Sequence, residues 1–260
     1  MSNDTILEFR NIDKSFPGVQ ALDQVSFGIN KGEVHALVGE NGAGKSTLMK
    51  ITAGLYQPDG GEVILNGEAV QIKNAQQALQ LGVAMVPQEL NLVPETMVAE
   101  NIFLGIEPRN KLGVVKRKDL HHGSREVLAS LGLELDTRRK LKDLAVAEQQ
   151  MIQIARALAF NCNILIMDEP TAPLSEREKN TLFDRIRALQ QRGTTIIYIS
   201  HRMEEIFEIS DRITVLRDGK LMGTLDRSEA TQDEIVSLMI GRSLKEFLHT
   251  RDQRQHGGET

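Results

Sequence analysis

The segment that decides the fold of this chain is VHALVGENGAGKST, residues 34–47. Its first five residues are a short apolar run, which is typical of a buried parallel strand. The next residues, 39–46, match the pattern G-x-x-x-x-G-K-[ST]. Glycines in such a loop let the backbone curl so that its N–H groups point at phosphate oxygens, and the helix that follows offers its positive end to the same anion. The segment therefore predicts a phosphate-binding loop between a strand and a helix.

Two side chains of this loop have separate expected roles. Lys45 is expected to reach the β- and γ-phosphates of a nucleotide, and the hydroxyl of Ser46 is expected to bind Mg²⁺. The alternative is a glycine-rich turn with an exposed lysine, and the strand directly before the loop argues against it. The residues that we predict to bind nucleotide here are Gly39, Glu40, Asn41, Gly42, Ala43, Gly44, Lys45, Ser46 and Thr47.

A second apolar strand, residues 164–167, is followed by two carboxylates, Asp168 and Glu169. In a nucleotide site, Asp168 can hold Mg²⁺ through its water shell, and Glu169 can polarise the water that attacks the γ-phosphate. The alternative is that both residues only cap the next helix, since acidic side chains are common at helix starts. Together with a phosphate loop, the catalytic interpretation is favoured.

Two further apolar strands lead to polar side chains. Residues 195–199 lead to His201, which we expect to contact the γ-phosphate because ligands of α/β folds bind at the carboxyl ends of the strands. The alternative for a single histidine is a satisfied structural side chain. Residues 83–86 lead to Gln88, whose amide can touch both Mg²⁺ and the attacking water.

Short β-branched runs alternate with longer helical patterns along the chain, which indicates the α/β class. Residues 5–12 and 21–29 read as strands. The dipeptides Asn-Gly at 66–67 and Asp-Gly at 218–219 lie between apolar runs and predict two-residue hairpin turns, so some strand pairs are antiparallel. A final helix is expected at about residues 231–240.

Strand signals fade between about residues 90 and 150, and leucines recur at helical spacing, which predicts a helical insertion. The basic stretch 111–118 is expected to be a solvated loop rather than a binding patch. We predict one domain over residues 1–245 and a polar, frayed tail over 246–260.

The composition excludes several classes of protein. The 260 residues carry 31 Lys and Arg against 36 Asp and Glu, a net charge of −5, so binding of nucleic acid by bulk electrostatics is not expected. The apolar stretches are too short to span a membrane, and the first residues show no signal-peptide pattern, so any membrane role is expected to be peripheral. A single cysteine permits a reducing compartment.

Taken in order, these motifs resemble those of the ATP-binding subunits of ABC transporters, over residues 5–245. The segments that carry the resemblance are the phosphate loop, Gln88, LAVAEQQ at 144–150, MDEPT at 167–171 and Ser-His at 200–201. More narrowly, the chain is similar to the amino-terminal half of the tandem ATPases of bacterial sugar importers of the ribose, galactose, arabinose and xylose group. That narrower likeness rests on residues 39–44, 86–90, 146–151 and 241–244.

The resemblance implies a P-loop NTPase fold, with a RecA-like core of mainly parallel sheet, an amino-terminal antiparallel β subdomain and a helical insertion. It implies ATP and Mg²⁺ as ligands and a location at the cytoplasmic face of the inner membrane. The implied partners are a second ABC ATPase domain in the same or another chain, membrane permease subunits and, indirectly, a sugar-binding protein. Residues 89–105 are the implied docking surface for a permease loop, with packing inside the insertion as the alternative.

The resemblance also assigns roles to single residues. Phe16 matches the aromatic that stacks on adenine, and the alternative is a core phenylalanine at the end of an edge strand. In this family two ATPase domains face head to tail, and each ATP lies between one phosphate loop and the signature motif of the other domain. The residues that match the signature are Leu144, Ala145, Val146, Ala147 and Glu148.

This signature departs from the family pattern Leu-Ser-Gly-Gly-Gln. Ala145 lacks the serine hydroxyl, and Val146 and Ala147 replace glycines, so one hydrogen bond to the γ-phosphate in the partner's site cannot form. We hypothesise one hydrolytic site, built on the intact motifs of this chain, and one mainly structural site. A weak signature that only slows the enzyme is the simpler alternative.

Two other functions remain open at this level. One is a soluble ABC ATPase that does not transport, and the other is a nucleotide-responsive regulatory module with little hydrolysis. The transported sugar is not encoded here, because its contacts belong to other subunits.

Overall fold

The computed structural model describes residues 5–241, so the predicted tail at 246–260 lies outside the described residues. The strands are β1 (Thr5–Phe16), β2 (Val19–Asn30), β3 (Val34–Val38), β4 (Gly60–Leu65), β5 (Glu68–Val70), β6 (Val83–Val86), β7 (Ile164–Asp168), β8 (Thr195–Ile199), β9 (Arg212–Arg217) and β10 (Lys220–Asp226). The helices are α1 (Lys45–Thr52), α2 (Ala75–Gln80), α3 (Val98–Ile102), α4 (Arg117–Ser130), α5 (Val146–Ala159), α6 (Glu176–Gln191), α7 (Met203–Ile209) and α8 (Gln232–Ile240). This order confirms the α/β class.

The chain divides into two compact units. Among the described residues, the first unit comprises 5–51, 56–71 and 199–241. The second unit comprises Thr52–Leu55 and Ile72–Tyr198. Neither unit is continuous in sequence. The predicted single domain, with its helical insertion at about 90–150, stays a prediction.

The first unit contains an antiparallel sheet with the strand order β2-β1-β4-β5, as expected for the amino-terminal part of the chain. Its first two strands are longer than predicted and reach Phe16 and Asn30. Register shifts interrupt the pairing of β1 with β2, and Asn11 has a positive φ of 48°. Such irregularities break the alternation of apolar and polar residues, which is why the sequence pattern ended the strands too early.

The same unit holds β9, which pairs antiparallel with β10 and parallel with β3. The turn between β9 and β10 is Asp218-Gly219, with φ values of 50° and 75°. The turn between β4 and β5 is Asn66-Gly67, with φ values of 52° and 85°. Positive φ at both central positions is the geometry of a two-residue hairpin, so both predicted turns are confirmed.

In the second unit β6 and β7 are parallel, and β8 lies beside β7. All five residues of β7 and of β8 are buried. These unalternated runs are covered on both faces, which confirms the interpretation as core strands. Phe183 of α6 packs edge-to-face against Tyr198 of β8, with ring centroids 6.0 Å apart.

Helices α3 and α4 and the start of α5 occupy the region where strand signals fade, which confirms its helical character. Leu120 and Leu128 are buried on one face of α4. Residues 111–114 are exposed and α4 begins at Arg117, so most of the basic stretch lies in a solvated loop, as predicted, and only Arg117 and Lys118 open the helix. None of the helices within residues 5–241 combines the length and apolarity that crossing a membrane requires.

A buried polar network anchors β3, the strand that leads into the phosphate loop. The Nδ1–H of His35 donates to Glu33 Oε1 at 2.7 Å, and its Nε2 accepts from the Thr214 hydroxyl at 2.7 Å. Thr214 belongs to β9, the parallel neighbour of β3. Burial lowers the pKa of His35 in spite of its hydrogen bond to Glu33, so the ring is neutral and keeps this arrangement.

We expect the free energy of unfolding to fall between about pH 7.5 and about pH 5.5, and His35→Gln to reduce that fall. In the unfolded chain the imidazole takes up a proton below about pH 6.5, whereas the folded ring, with its lowered pKa, takes it up only at lower pH. Protonation therefore favours the unfolded chain in this window. Denaturant unfolding of both proteins at the two pH values measures the effect, and equal losses in both would contradict it.

Candidate functional site

The phosphate loop lies in the first unit, between β3 and α1. A Cβ atom on Gly44 would lie 2.6 Å from the Ala21 carbonyl oxygen and 2.7 Å from Leu22 Cδ2, and φ at Gly44 is 98°. A side chain cannot be placed there, so glycine is required by close approach as well as by conformation. The loop is closed by a hydrogen bond from the Ala43 N–H to the Glu40 carbonyl at 3.1 Å.

The Lys45 ammonium is held inside its own loop. Its Nζ donates to the carbonyl oxygens of Gly39 at 2.8 Å and Glu40 at 2.9 Å, and the residue is 9% exposed. Ser46 is exposed and Thr47 is half-buried in the first turn of α1. A positive charge, a helix start and a hydroxyl thus meet in one short segment, which is chemistry suited to an anion and a hard cation.

Phe16 ends β1 with 36% of its surface exposed. The alternative of a core phenylalanine is therefore wrong, because a core side chain would be buried. The ring stands edge-to-face against Tyr56, with centroids 5.3 Å apart, and Lys14 Nζ lies 5.6 Å from its centroid. Lys14 also pairs with Asp59 at 2.7 Å, and the backbone N–H of Ser15 donates to the same carboxylate. These contacts fix the end of β1 and leave an aromatic ring available to a flat ligand.

The second unit brings Gln88 and Glu169 together. Val86 of β6 is paired with Met167 of β7. Gln88 and Glu169 each lie two residues beyond this pair, so the parallel register brings them side by side. Gln88 Nε2 donates to Glu169 Oε2 at 3.2 Å. An amide and a carboxylate at adjacent strand ends can orient one water molecule between a hydrogen-bond donor and a proton acceptor.

Glu169 has a positive φ of 47°, which is unusual for a residue with a side chain. Such a conformation costs on the order of 1–3 kcal/mol and persists where the surrounding structure enforces it, often at functional sites. The next helix, α6, begins at Glu176, and its N-cap residue is Ser175, six residues after Glu169. The Ser175 backbone N–H donates to Glu178 at 2.8 Å. The alternative that Asp168 and Glu169 cap this helix is therefore wrong.

His201 is exposed in the turn between β8 and α7. The turn is fixed by Glu205, which is 1% exposed and accepts from the Ser200 hydroxyl at 3.0 Å. Ser200 Oγ in turn accepts from the Arg202 backbone N–H at 3.1 Å, and Arg202 pairs with Glu205 at 3.3 Å. The motif analysis missed Glu205, because its role depends on a contact that no local pattern indicates.

The signature residues open α5 in the second unit. Leu144 is buried, whereas Ala145 and Val146 are exposed, with 48% of the Val146 surface accessible. The Ala145 backbone N–H donates to Glu148 Oε2 at 2.9 Å, and Gln149 Nε2 donates to the Leu144 carbonyl at 3.0 Å. The first turn of α5 therefore exposes backbone and small apolar groups to solvent. The Glu148 carboxylate caps the start of the helix by accepting from the Ala145 N–H.

Helix α5 also holds the segment that follows β6. Gln153 Nε2 donates to the carbonyl oxygens of Pro87 at 3.1 Å and Glu89 at 3.2 Å. Arg156 Nη1 donates to the Asn91 carbonyl at 3.1 Å. Gln153 thus holds the backbone on both sides of Gln88, and Arg156 holds it three residues further on. Sequence reasoning missed them too, since glutamine and arginine on a helix give no signal of a distant carbonyl.

The predicted residues thus fall into two groups. The phosphate loop, Phe16 and His201 belong to the first unit, and Gln88, Asp168, Glu169 and the signature belong to the second. Within the second unit Gln88 and Glu169 are in direct contact, while the signature is linked to the Gln88 segment through Gln153.

Comparison with known proteins identifies similar sequences. The family profile described as "ABC transporter" matches residues 22–172. A protein of Rubrobacter xylanophilus named "Ribose import ATP-binding protein RbsA 1" is 52% identical over 246 residues, which are 95% of this chain and 49% of that protein. A Geobacillus kaustophilus protein named "Putative ribose/galactose/methyl galactoside import ATP-binding protein" is 47% identical over 250 residues, 96% of this chain and 50% of that protein. The chain spans about half the length of the curated relatives it matches.

Solved structures agree with this result. The ADP conformation of an ATP-binding cassette of an ABC transporter has a TM-score of 0.79 at 27% identity and covers 92% of this chain and 99% of that one. A dimeric cassette in a post-hydrolysis state, bound to ADP and Pi, has a TM-score of 0.74 at 25% identity and covers 85% of this chain and 99% of that one. The fold is therefore that of a P-loop NTPase cassette. Since the family profile also covers residues 22–172 of the 260, the chain belongs to the ABC transporter family.

Proposed function

We propose that this chain binds and hydrolyses ATP to drive import of a sugar through a membrane transporter. The names of its relatives, which refer to ribose, galactose and methyl galactoside import, support the transport interpretation over a soluble ABC ATPase or a regulatory module. The observation that carries the hydrolytic part is the contact between Gln88 and Glu169 at adjacent strand ends, with Glu169 in a strained conformation.

For nucleotide binding we assign the β- and γ-phosphates to the backbone N–H groups of residues 39–46 and to the Lys45 ammonium. Two carbonyl oxygens of the loop accept hydrogen bonds from it, so the ammonium is already placed against the loop that would receive the phosphates. Phosphate oxygens are stronger acceptors than carbonyls, so this group can exchange partners at little cost. The exposed ring of Phe16 is assigned to the adenine base.

The donor set fits Mg²⁺. The residues assigned to it are Ser46, Asp168 and Gln88, which offer a hydroxyl, a carboxylate and an amide oxygen. These are hard oxygen ligands, and Mg²⁺ in nucleotide sites keeps several waters and takes few protein ligands. When bound, the ion would neutralise charge on the phosphate oxygens.

We assign hydrolysis to four side chains of this chain. Glu169 accepts a proton from, or polarises, the attacking water, and Gln88 orients that water through its amide. Lys45 and His201 stabilise the charge that develops on the γ-phosphate. The Ser200–Glu205–Arg202 contacts hold the turn that carries His201, so this turn is positioned before any ligand arrives.

A second ATPase domain is the proposed partner at the signature. The dimeric cassette structure bound to ADP and Pi supports such a pairing, and the relatives are about twice as long as the matched segment. The exposed first turn of α5, with Ala145 and Val146 at its start, offers N–H groups but no hydroxyl to the partner's nucleotide. We therefore propose that the hydrolytic site is the one built on Lys45 and Glu169.

Transport requires that the state of the nucleotide reaches a membrane permease. The proposed docking segment, residues 89–105, begins at the backbone that Gln153 and Arg156 hold, directly after Gln88. Val93 in this segment is 39% exposed. The segment is thus tied to α5 at its start and exposed at residues 93–95, whereas the buried face of α3, with Val98, Ala99 and Ile102, packs inside the chain. We place the chain at the cytoplasmic face of the membrane, with a sugar-binding protein as an indirect partner.

Replacing Glu169 by Gln in the assembled transporter is expected to lower ATP turnover at least about 100-fold. Glutamine keeps an oxygen for Gln88 but cannot accept the proton, so ATP binding should be retained. Steady-state turnover and equilibrium ATP binding measure the two effects. Glu229→Gln, at an exposed position, is the matched control and should change neither. Unchanged turnover in Glu169→Gln would refute the assignment.

Restoring the signature hydroxyl by Ala145→Ser is expected to leave transporter turnover within about twofold, because this signature serves the site that we propose to be mainly structural. The same ATPase assay measures it. A tenfold gain in turnover would show instead that the alanine limits hydrolysis, and the asymmetric assignment would then fail.

Phe16→Ala is expected to raise the Kd for ATP about tenfold, because stacking of a base on an aromatic ring contributes on the order of 1–3 kcal/mol. The 260-residue chain suffices for this measurement, by calorimetry or fluorescence titration. Leu104 is also 36% exposed, so Leu104→Ala is the matched control for loss of surface apolar area. Equal effects of the two substitutions, or none at Phe16, would contradict the adenine assignment.

A further inference from the structure

The loop between α3 and α4 presents apolar side chains to the solvent. We call residues 108–116 the tip loop. Leu112 is 88% exposed, more than any other large apolar side chain among the described residues, and Val114 is 61% exposed. Exposing two such groups two positions apart in one loop is unfavourable in water, and exposed apolar surface of this kind marks interaction sites.

The tip loop is a formed structure rather than a loose connection. Asn110 Oδ1 accepts from the backbone N–H groups of Leu112 at 2.9 Å and Val114 at 3.0 Å. The Asn110 N–H donates to the Val114 carbonyl at 2.9 Å, and the Lys116 N–H donates to the Pro108 carbonyl at 2.7 Å. These bonds hold Leu112 and Val114 in an exposed turn, so their exposure follows from the hydrogen bonding of the loop.

The helix that follows begins with a strongly basic surface. A groove of about 690 Å³ is lined by Met97 and, in addition, by Arg117, Lys118, Asp119, His121, His122, Arg125 and Arg138. We call this the basic groove. Residues 117, 121 and 125 recur every four positions and therefore lie on one face of α4. The groove contains four permanently positive side chains and one acidic one.

Within the described part of the chain, the cations of this surface form no ion pairs. Across residues 5–241, no ion pair includes the side chains of Lys111, Arg117, Lys118, Arg125 or Arg138, and Asp119 pairs with Lys116 at 3.3 Å. The chain as a whole carries a net charge of −5. A concentration of unpaired cations on an acidic protein is a local feature, and it is complementary to an anionic occupant.

We propose that the tip loop and the basic groove bind the surface of a membrane that contains anionic phospholipids. Leu112 and Val114 enter the boundary between headgroups and acyl chains, while Lys111 and the cations of the basic groove contact phosphate groups. An apolar element flanked by lysine and arginine is the combination that interfacial membrane binding requires, since each part alone gives only weak attachment. The interaction needs no nucleotide and is independent of ATP hydrolysis.

The observations favour a lipid surface over an acidic protein partner. Leu112, the most exposed large apolar side chain among the described residues, lies with the exposed Val114 on one turn, which a fluid headgroup layer can surround but which a protein could cover only with a matching pocket. The groove cations are long, flexible side chains without fixed partners, and mobile lipid headgroups can adjust to them. An acidic protein partner is the competing outcome of the test.

The test is flotation of the 260-residue chain with vesicles, without nucleotide. Vesicles of phosphatidylcholine with about 30% phosphatidylglycerol are compared with pure phosphatidylcholine, and we expect at least tenfold stronger binding to the anionic ones. Leu112→Asn with Val114→Asn should lower that binding about tenfold. Arg117→Gln with Arg125→Gln should lower it about fivefold for each cation removed, and about 0.5 M salt should abolish most of it.

Matched control substitutions distinguish binding at this site from nonspecific binding to vesicles. Leu55 is 54% exposed, and Lys31 and Lys73 are exposed, so Leu55→Asn and the pair Lys31→Gln with Lys73→Gln should leave vesicle binding unchanged. Thermal unfolding midpoints establish that each variant is folded. Absence of binding to anionic vesicles, equal losses in the controls, or capture of an acidic permease segment in detergent without vesicle binding would each overturn the proposal.

Discussion

The candidate functional residues of each unit depend on one constraint: the strands that precede them are completely buried, so polar side chains can emerge only where those strands end. All five residues of β3, of β7 and of β8 are buried. Apolar burial holds these strands in place, and the positions of the phosphate loop, Asp168 and Glu169 follow from it. Glu169 keeps its strained, positive φ because packing fixes the buried strand β7 directly before it.

Pairing register adds the second level of order. The parallel register of β6 and β7 aligns the segments beyond them, which allows the hydrogen bond between Gln88 and Glu169. Because side chains alternate between the two faces of a sheet, a slip by one residue would turn Gln88 away. Helix α5 then connects this strand end to the signature, since Gln153 and Arg156 hold the segment after β6 and Ala145 stands before the first turn.

Local patterns predicted a large part of the fold, and they failed for identifiable reasons elsewhere. The final helix begins after Thr231, whose side chain accepts from the Glu234 N–H, and ends at Gly241 with a left-handed φ of 73°. Both are local signals, so this helix could be predicted closely. The strand β1 was predicted too short, since a positive φ at Asn11 breaks its alternation. The contact of Phe16 with Tyr56 joins residues far apart in sequence, and no periodicity indicates it.

By itself, the sequence determined which segments form strands, which residues follow them, and that the signature lacks a hydroxyl at Ala145. These properties depend on residue type and near-neighbour order. Only the tertiary structure decided that Phe16 is exposed, that Gln88 meets Glu169, and that the cations at the start of α4 lack partners among the described residues. The physical reason is that exposure and hydrogen bonding depend on which distant segments pack together, and that information is not contained in any single stretch of the chain.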